Sequence, residues 1–589
     1  MLYYVQSKKR KFNLIFTITL LFIAIIYLPV SIAQSQQDEF ILLYPTEIRF
    51  EPNASKWFVD IMIVSNNPFL KSLKISNAKL FSKDILKILK CKNLKSDNSL
   101  PVNVYKNIDF SQFKTLQTNL KELNKLPPTS DKNLFIKQQI NGLLELMEQN
   151  KIKEEGICEF EIDTTFLPIK IQDGEKYPIE IEISNGETTQ KAQITIWVAS
   201  LPIDDNFSPA QLHVHTKFSD GTKTIYDVAN IYKNQGYKIV YITDHVDRLR
   251  KKIPENVDPE NYNEPAKCDY DSSNVPYKWK KYVEKVSQTS SQLGISVLPG
   301  AEVTVFDAST LENAKGDLLV YGISNLNGIH QYSAEQHNSL NNYKQYRLYP
   351  QRAIDVVNVN SSYSSCAIAH PFGINPSWDD WTVSNYQGFE IFSTWIQSNF
   401  TPSSRPLSKW VEELSRLKSS IFSFNVLPSV RAGDDWHAKE DLFFRPNYIT
   451  WIGTKDWSNK NSVNITLKKG KTVVSKKGSL VYFTINYNSI SYSIADIVKN
   501  VPTNASLNIK VVLKPIEKGI YYVGVYEDSF NNIIWWTENE CNAGNTYTYS
   551  TNFNFKGGKH CYYVYVLGRP INSSYYEEFV YTTPIFISN

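Results

Sequence analysis

A chain of 589 residues is too long for a single hydrophobic core, and its net charge of +4, with basic and acidic residues interleaved, demands no nucleic-acid or membrane-surface partner. No nucleic-acid-binding surface is expected. Aromatics are plentiful at 36 Tyr, 30 Phe and 12 Trp, and with Thr, Val and Ile they gather at both ends of the chain, the composition of strands.

At the N-terminus Lys8-Lys9-Arg10-Lys11 precedes an apolar run from Leu14 to Leu28, and Ser31-Ile32-Ala33 offers small residues for cleavage. Residues 1–33 are read as an export signal or, uncleaved, as an anchor; either places the body of the protein outside the cytoplasm, with a membrane contact only through the uncleaved segment. Disulfides persist there. Cys91 with Cys158 and Cys541 with Cys561 are candidate pairs, while the pairing of Cys268 and Cys366 stays open.

Over 38–203, alternating runs such as Trp57 to Val64 and Ala192 to Val198 predict a β-sandwich, and Leu and Ile at helical spacing among dense charges predict a helical insertion at 108–153. From 208 to 452 strands alternate with helices. Strands are expected at Lys238–Thr243, Ile295–Leu298, Asp317–Ile323, Cys366–Ala369, Gly388–Phe392 and into Val430, with helices at Tyr277–Leu293, Tyr343–Val357 and Leu407–Lys418. Such alternation predicts a parallel sheet closed into a barrel. After Gly453 no helical unit is evident, and runs such as Leu480–Ile485 and Tyr521–Tyr526 predict a second β-sandwich over 453–589.

Five of the eight histidines fall at the ends of these strands. His213 and His215 are spaced i, i+2, so on a strand both rings face one side and can hold one ion. His245 follows a strand and Asp244, Glu302 follows Leu298-Pro299-Gly300-Ala301, His370 follows Cys366 to Ala369, and Asp435-Trp436-His437 follows Val430 to Gly433. A lone histidine is most often an ordinary loop or core residue, but imidazoles and carboxylates gathered at one barrel mouth suit Zn²⁺, Mn²⁺ or Fe ions. Trp378, Trp381, Trp395 and Trp436 lie close to the motifs and suit either a wall for an apolar or ring-bearing substrate or, the commoner fate of tryptophan, core and loop packing, so they are left outside the site. Phosphate loops and serine-hydrolase elbows are missing from the sequence.

The ordered set His-x-His-Thr-x-x-Ser-Asp-Gly from His213 to Gly221, Thr243-Asp244-His245, Gly300-x-Glu302, His370-Pro371 and Gly433-x-Asp435-x-His437 resembles the polymerase and histidinol phosphatase (PHP) family, and within it the exported branch related to carbaryl-hydrolysing metallohydrolases. Glu578 to Ile587 also resembles the ending of such chains. The resemblance implies an α/β fold: a distorted (β/α)7 TIM-like barrel flanked by the two β-sandwiches. It implies two or three divalent ions. His213, His215, Glu302 and Asp435 would hold the first, Glu302 and His370 the second, and Asp220, His245 and His437 the third. Asp317 stands where many relatives carry a histidine for the second ion.

Asp435, His437 and Arg431 are the candidate catalytic residues, with Arg431 and alternatively Arg405 or Arg445 meeting a substrate phosphate. The expected activity is metal-dependent hydrolysis of small phosphate esters or nucleotides by an activated water. Carbamate, ester or amide hydrolysis at the same centre is the alternative, and a non-catalytic surface-binding protein is a third.

Overall fold

The computed structural model describes residues 40–589 except 68–69, 71, most of 106–149, 154–155, 333–342, 373–377, 394–405, 439–447 and 572. The expected export signal and most of the helical insertion at 108–153 lie outside the described residues, as do Trp395, Arg405 and Arg445.

Alternation builds the N-terminal strands. In Lys176–Ser184 the residues Tyr177, Ile179, Ile181 and Ile183 are buried and those between them turn outward. This strand pairs antiparallel with Thr189–Val198 and Lys74–Leu80 in a five-stranded sheet, and Lys56–Ser65 lies within a six-stranded one. The two sheets meet through rings, with Trp57 6.4 Å from Phe50 and 5.8 Å from Tyr177.

The central sheet is mixed. It runs in the order β1 (Ser208–Gln211), β2 (Ile239–Ile242), β3 (Ser296–Phe306), β4 (Ala314–Tyr321), β5 (Ser365–Ile368), β6 (Gly388–Phe392) and β7 (Ser429–Ala432). Helices α1 (Ile225–Asn234), α2 (Val246–Leu249), α3 (Tyr277–Leu293), α4 (Pro350–Asn360) and α5 (Pro406–Phe424) fall between strands. α3 shows why such segments are helical: Trp279, Tyr282, Val286, Thr289 and Leu293 recur at three- and four-residue steps and are all buried. The expected all-parallel sheet is corrected at β4, which pairs antiparallel with both β3 and β5. Only a short loop joins β3 to β4, and a connection without a crossover helix makes a hairpin.

The two ends of this path meet. Asp435 N–H donates to His213 O at 2.8 Å and His215 N–H to Trp436 O at 3.0 Å, with a parallel bridge between Val214 and Trp436. One face of the strands carries Ile239, Tyr241, Leu298, Leu319 and Tyr321 in a small apolar cluster with Val463 and Leu467 of α6 (Lys460–Lys468). That helix corrects the expectation of none after Gly453. β-Branched Val463, Ile465 and Thr466 disguise it, but Asn459 caps it by accepting from Asn461 N and Ser462 N. Beyond it the same sheet continues without a break, because β1 pairs with Ile449–Ile452, which pairs with Thr472–Ser475 and then Glu578–Thr582.

All six cysteines carry free thiols. Cys91 lies opposite Phe160, two residues from Cys158. Cys541 and Cys561 cannot pair: Cys541 faces Gly519, which faces Pro570 across the next strand, nine positions from Cys561. That is about 30 Å of strand, against a limit of about 7 Å between bridged Cα atoms. Among the described residues no helix is long and apolar enough to cross a membrane.

Candidate metal centre

The sites of interest begin where ladders stop. Gln211 ends β1, and its buried side-chain oxygen accepts from Leu212 N, His213 N and Asp434 N at 2.9, 3.1 and 3.1 Å. It thereby ties the turn after β1 to the turn after β7. Asp435 sits at φ 48°, unusual for a residue other than glycine, and is held there by its hydrogen bond to His213 O. Gly433 has no room for a side chain: a Cβ would lie 2.3 Å from His213 Cβ and 2.5 Å from Glu390 Oε1.

Three groups of donor atoms form at this seam, each group within 4.8 Å. The first comprises His213, His215, Glu302 and Asp435. The two histidine Nε2 atoms are 3.2 Å apart, both lie 3.1 Å from Asp435 Oδ1, and they are 3.5 and 3.2 Å from Glu302 Oε2. An ion held tetrahedrally at about 2.1 Å sets its ligands about 3.4 Å apart, so the donor set fits a divalent cation. The second group is Glu302, Asp317 and His370. His370 Nε2 lies 3.0 Å from Glu302 Oε1 and 3.7 Å from Asp317 Oδ2. Glu302 thus turns one oxygen to each group. Asp317 is buried in β4, its other oxygen accepting from Thr304 Oγ1 at 2.6 Å.

The third group is Asp220, His245 and His437 together with His215. Asp220 Oδ2 lies 3.7 Å from His245 Nε2 and 3.5 Å from His437 Nε2, and the rings of His215 and His437 stack at 4.1 Å. Asp220 does not cap the following helix; Thr224 does, accepting from Asp227 N. Gly221 lets the chain turn here, since a Cβ would strike the backbone of His215 at 2.7 Å.

Charge is shared tightly. Burial alone would lower His213, but Asp435, Glu302 and Glu390 outweigh it and hold it well above the ordinary histidine value. His370 is likewise pushed up to about 10, against its burial, by Glu302, Asp435 and Asp317. Burial opposes ionisation of Asp220, Glu302 and Asp435 too, yet the histidines hold the first two well below the carboxylate range and the last at about 2. Asp317 goes the other way, raised to about 6 by burial and by the charge of Glu302.

Of three supporting residues, Glu390 and Gln211 escaped the motifs, while Asp244 lies inside one. Glu390 accepts from His370 N at 2.7 Å and faces His213 Nδ1 at 3.3 Å, which leaves His213 Nε2 to the first group. Asp244 takes Thr216 N and Thr216 Oγ1 at 2.7 and 2.6 Å, and with Gln211 it fixes the turn carrying the first two histidines. A carboxylate inside the apolar run Gly388–Phe392 was the available signal for Glu390. Arg431 corrects an expectation: its guanidinium lies over the Tyr321 ring at 4.9 Å and donates to Leu467 O, wholly buried beside α6. It is a packing residue, not a phosphate ligand. Trp378 and Trp436 are buried as packing, and Trp381 stacks on Phe372 and Phe389.

Among known proteins, no curated protein matches the chain. A crystal structure of a two-domain protein from Bacteroides vulgatus ATCC 8482 containing a predicted PHP-like metal-dependent phosphoesterase aligns at 13% identity over 66% of this chain and 98% of that one, with a TM-score of 0.32. The C-terminal domain of wzt aligns at 8% identity over 18% of this chain and 73% of that one, with a TM-score of 0.13. The PHP domain family matches residues 211–393, a span holding seven of the grouped donors, His213, His215, Asp220, His245, Glu302, Asp317 and His370, and ending before Asp435 and His437. This portion of the chain is therefore similar to the PHP domain.

Proposed function

We propose that the chain is a metal-dependent hydrolase of phosphate esters whose centre lies at the mouth of a distorted (β/α)7 barrel formed by β1 to β7. The observation that carries this reading is the meeting of three donor groups on shared ligands, Glu302 and His215, at spacings that suit divalent ions. His213, His215, Glu302 and Asp435 would hold the first ion, Glu302, Asp317 and His370 the second, and Asp220, His245 and His437 the third. Such ions lower the pKa of water toward about 7 and stabilise developing oxyanion charge. The protein contributes the rest. Glu390 orients His213, Thr304 holds Asp317, and Asp435 Oδ2, 3.8 Å from His370 Nε2, is placed to receive a proton. His437, whose Nδ1–H donates to Asp435 O at 3.1 Å, keeps Nε2 turned to Asp220.

The natural substrate would be a small molecule met outside the cytoplasm, the basic and apolar pattern of residues 1–33 supporting export. One observation favours carbamate or carboxylic ester hydrolysis as a second reading: Arg431, the cation expected beside a phosphate, is sealed against Tyr321. The full chain loaded with Mn²⁺, assayed on p-nitrophenyl phosphate and on naphthyl acetate, separates the two. Phosphatase turnover lost in His215→Ala supports the first; esterase activity alone, also lost in His215→Ala, replaces it with the second. Less than one metal per chain by elemental analysis sinks both.

A further inference from the structure

In the N-terminal sandwich Asp60 and Glu159 stand directly opposite each other across the antiparallel strands Lys56–Ser65 and Cys158–Asp163. Like charges so placed repel, and Asp60 is buried. What offsets the repulsion comes from the segment between β1 and α1. Lys223 sets its buried ammonium 3.0 Å from Glu159 Oε1 and 3.5 Å from Asp60 Oδ1. Burying such a cluster gains little over apolar side chains of the same volume, so stability alone does not account for it.

What Lys223 holds is the loop that carries Asp220. Its C=O accepts from Lys217 N at 2.9 Å, and the adjoining Thr222 donates from N to His437 O at 2.9 Å and from Oγ1 to Ala438 O at 2.6 Å. The loop 217–223 therefore presents Asp220 and grips the backbone of His437, two donors of the third group. The sandwich also holds the far end of α1, where the buried Arg49 donates to Gln235 O and Glu51 N donates to Asn234 O at 3.0 Å. The first group is anchored differently, by Gln211, Asp244 and Glu390 of the central sheet and its turns.

We propose that Asp60, Glu159 and Lys223 are positioning residues of the metal centre: through Lys223 the N-terminal sandwich sets the 217–223 loop, and with it the placing of Asp220 against His245 and His437. The inference rests on the metal-dependent reading above. It gives the sandwich a share in the third ion and none in the first two.

Titration of the metal-free full chain with Mn²⁺ against a fluorescent chelator, with elemental analysis for stoichiometry, tests it without turnover. The dissociation constant that disappears in Asp220→Asn identifies the third ion. In Lys223→Met that constant should rise about 10-fold while the others hold, and Lys223→Arg, which keeps the cation, should restore it. Glu159→Gln leaves Asp60 paired with Lys223 and should move the same constant in the same direction by less, which guards against misfolding of Lys223→Met. Hydrogen exchange of the metal-free chain reads the loop itself: protection of the Lys217 and Thr222 amides should fall in Lys223→Met and return in Lys223→Arg. A third constant unmoved in both Lys223→Met and Glu159→Gln, or a loss shared equally by every ion, overturns the proposal. If the wild type binds fewer than three ions, the third-ion reading has failed and hydrogen exchange decides. Protection lowered at Lys217 and Thr222 then sustains the hold of the sandwich on the loop; unchanged protection overturns it.

Discussion

Glu390→Gln isolates a single carboxylate that touches no substrate yet faces two donor histidines. The amide keeps the size of the side chain and an oxygen for His370 N, so backbone geometry is retained. What it loses is the negative charge 3.3 Å from His213 Nδ1. Removing a carboxylate behind a ligating imidazole typically weakens metal binding about 10- to 100-fold, or about 1.4–2.7 kcal/mol. A second effect opposes it. In the metal-free chain Glu390 is one of the three charges that raise His213 and make a proton compete with the cation. The substitution eases that competition, but only where His213 is protonated. The affinity loss should therefore be larger at a pH above the raised value of His213 than at one below it. Competition with a fluorescent chelator at both pH values reads the two effects separately. An unchanged dissociation constant at the higher pH, with metal stoichiometry intact, refutes the orienting role.

Gly433→Ala places a methyl against His213 and Glu390, neither of which can retreat, and should destabilise the protein by about 1–3 kcal/mol; chemical denaturation with and without Mn²⁺ checks this, and an unaltered midpoint contradicts it. Asp220→Asn should remove one ion per chain while the His213–His215 group keeps its own, as counted by elemental analysis; loss of all metal would contradict the grouping. His370 has a folded-state value near 10, above its ordinary 6.5. Its proton therefore stabilises the metal-free fold fully below about pH 6.5, and that contribution is lost as pH rises toward about 10. The melting temperature of the metal-free chain should fall across that window and do so less in His370→Gln; equal slopes for the two would refute the assignment.

The donor residues stood out in the sequence because metal chemistry uses few residue types and the strand–helix rhythm puts its catalytic positions at strand ends. The structure gathers His213, His215, Asp220, His245, Glu302, Asp317, His370, Asp435 and His437 at one seam. Their supporting shell was harder to see. Gln211 acts through hydrogen bonds to groups up to 223 positions away, and nothing local marks it; the carboxylate inside an apolar strand is the one local trace of Glu390. Arg431 misled for the converse reason: adjacency to a motif along the chain says nothing of which way a strand residue points, and α6 and Tyr321 claim its side chain. The antiparallel turn of β4 was legible in principle, since Phe306 and Ala314 are too close in sequence for a crossover helix. α6 was not, because β-branched residues read as strand until a cap and an apolar neighbour decide otherwise.

The seam where β1 and β7 meet also makes the chain a very long loop held at its neck. Between His213 and Asp435 lie more than two hundred residues, and for a flexible chain bringing such ends together costs about 5 kcal/mol of entropy. At the neck the backbone offers the bonds from Asp435 N to His213 O and from His215 N to Trp436 O. A cation gripped by His213 and Asp435 would work there as a clasp on the polymer, not only as a reagent. Stripping it should loosen amide protection at 213–215 and 433–437 before the sheet elsewhere responds, so that the proposed metal centre and this closure of the fold are the same few residues.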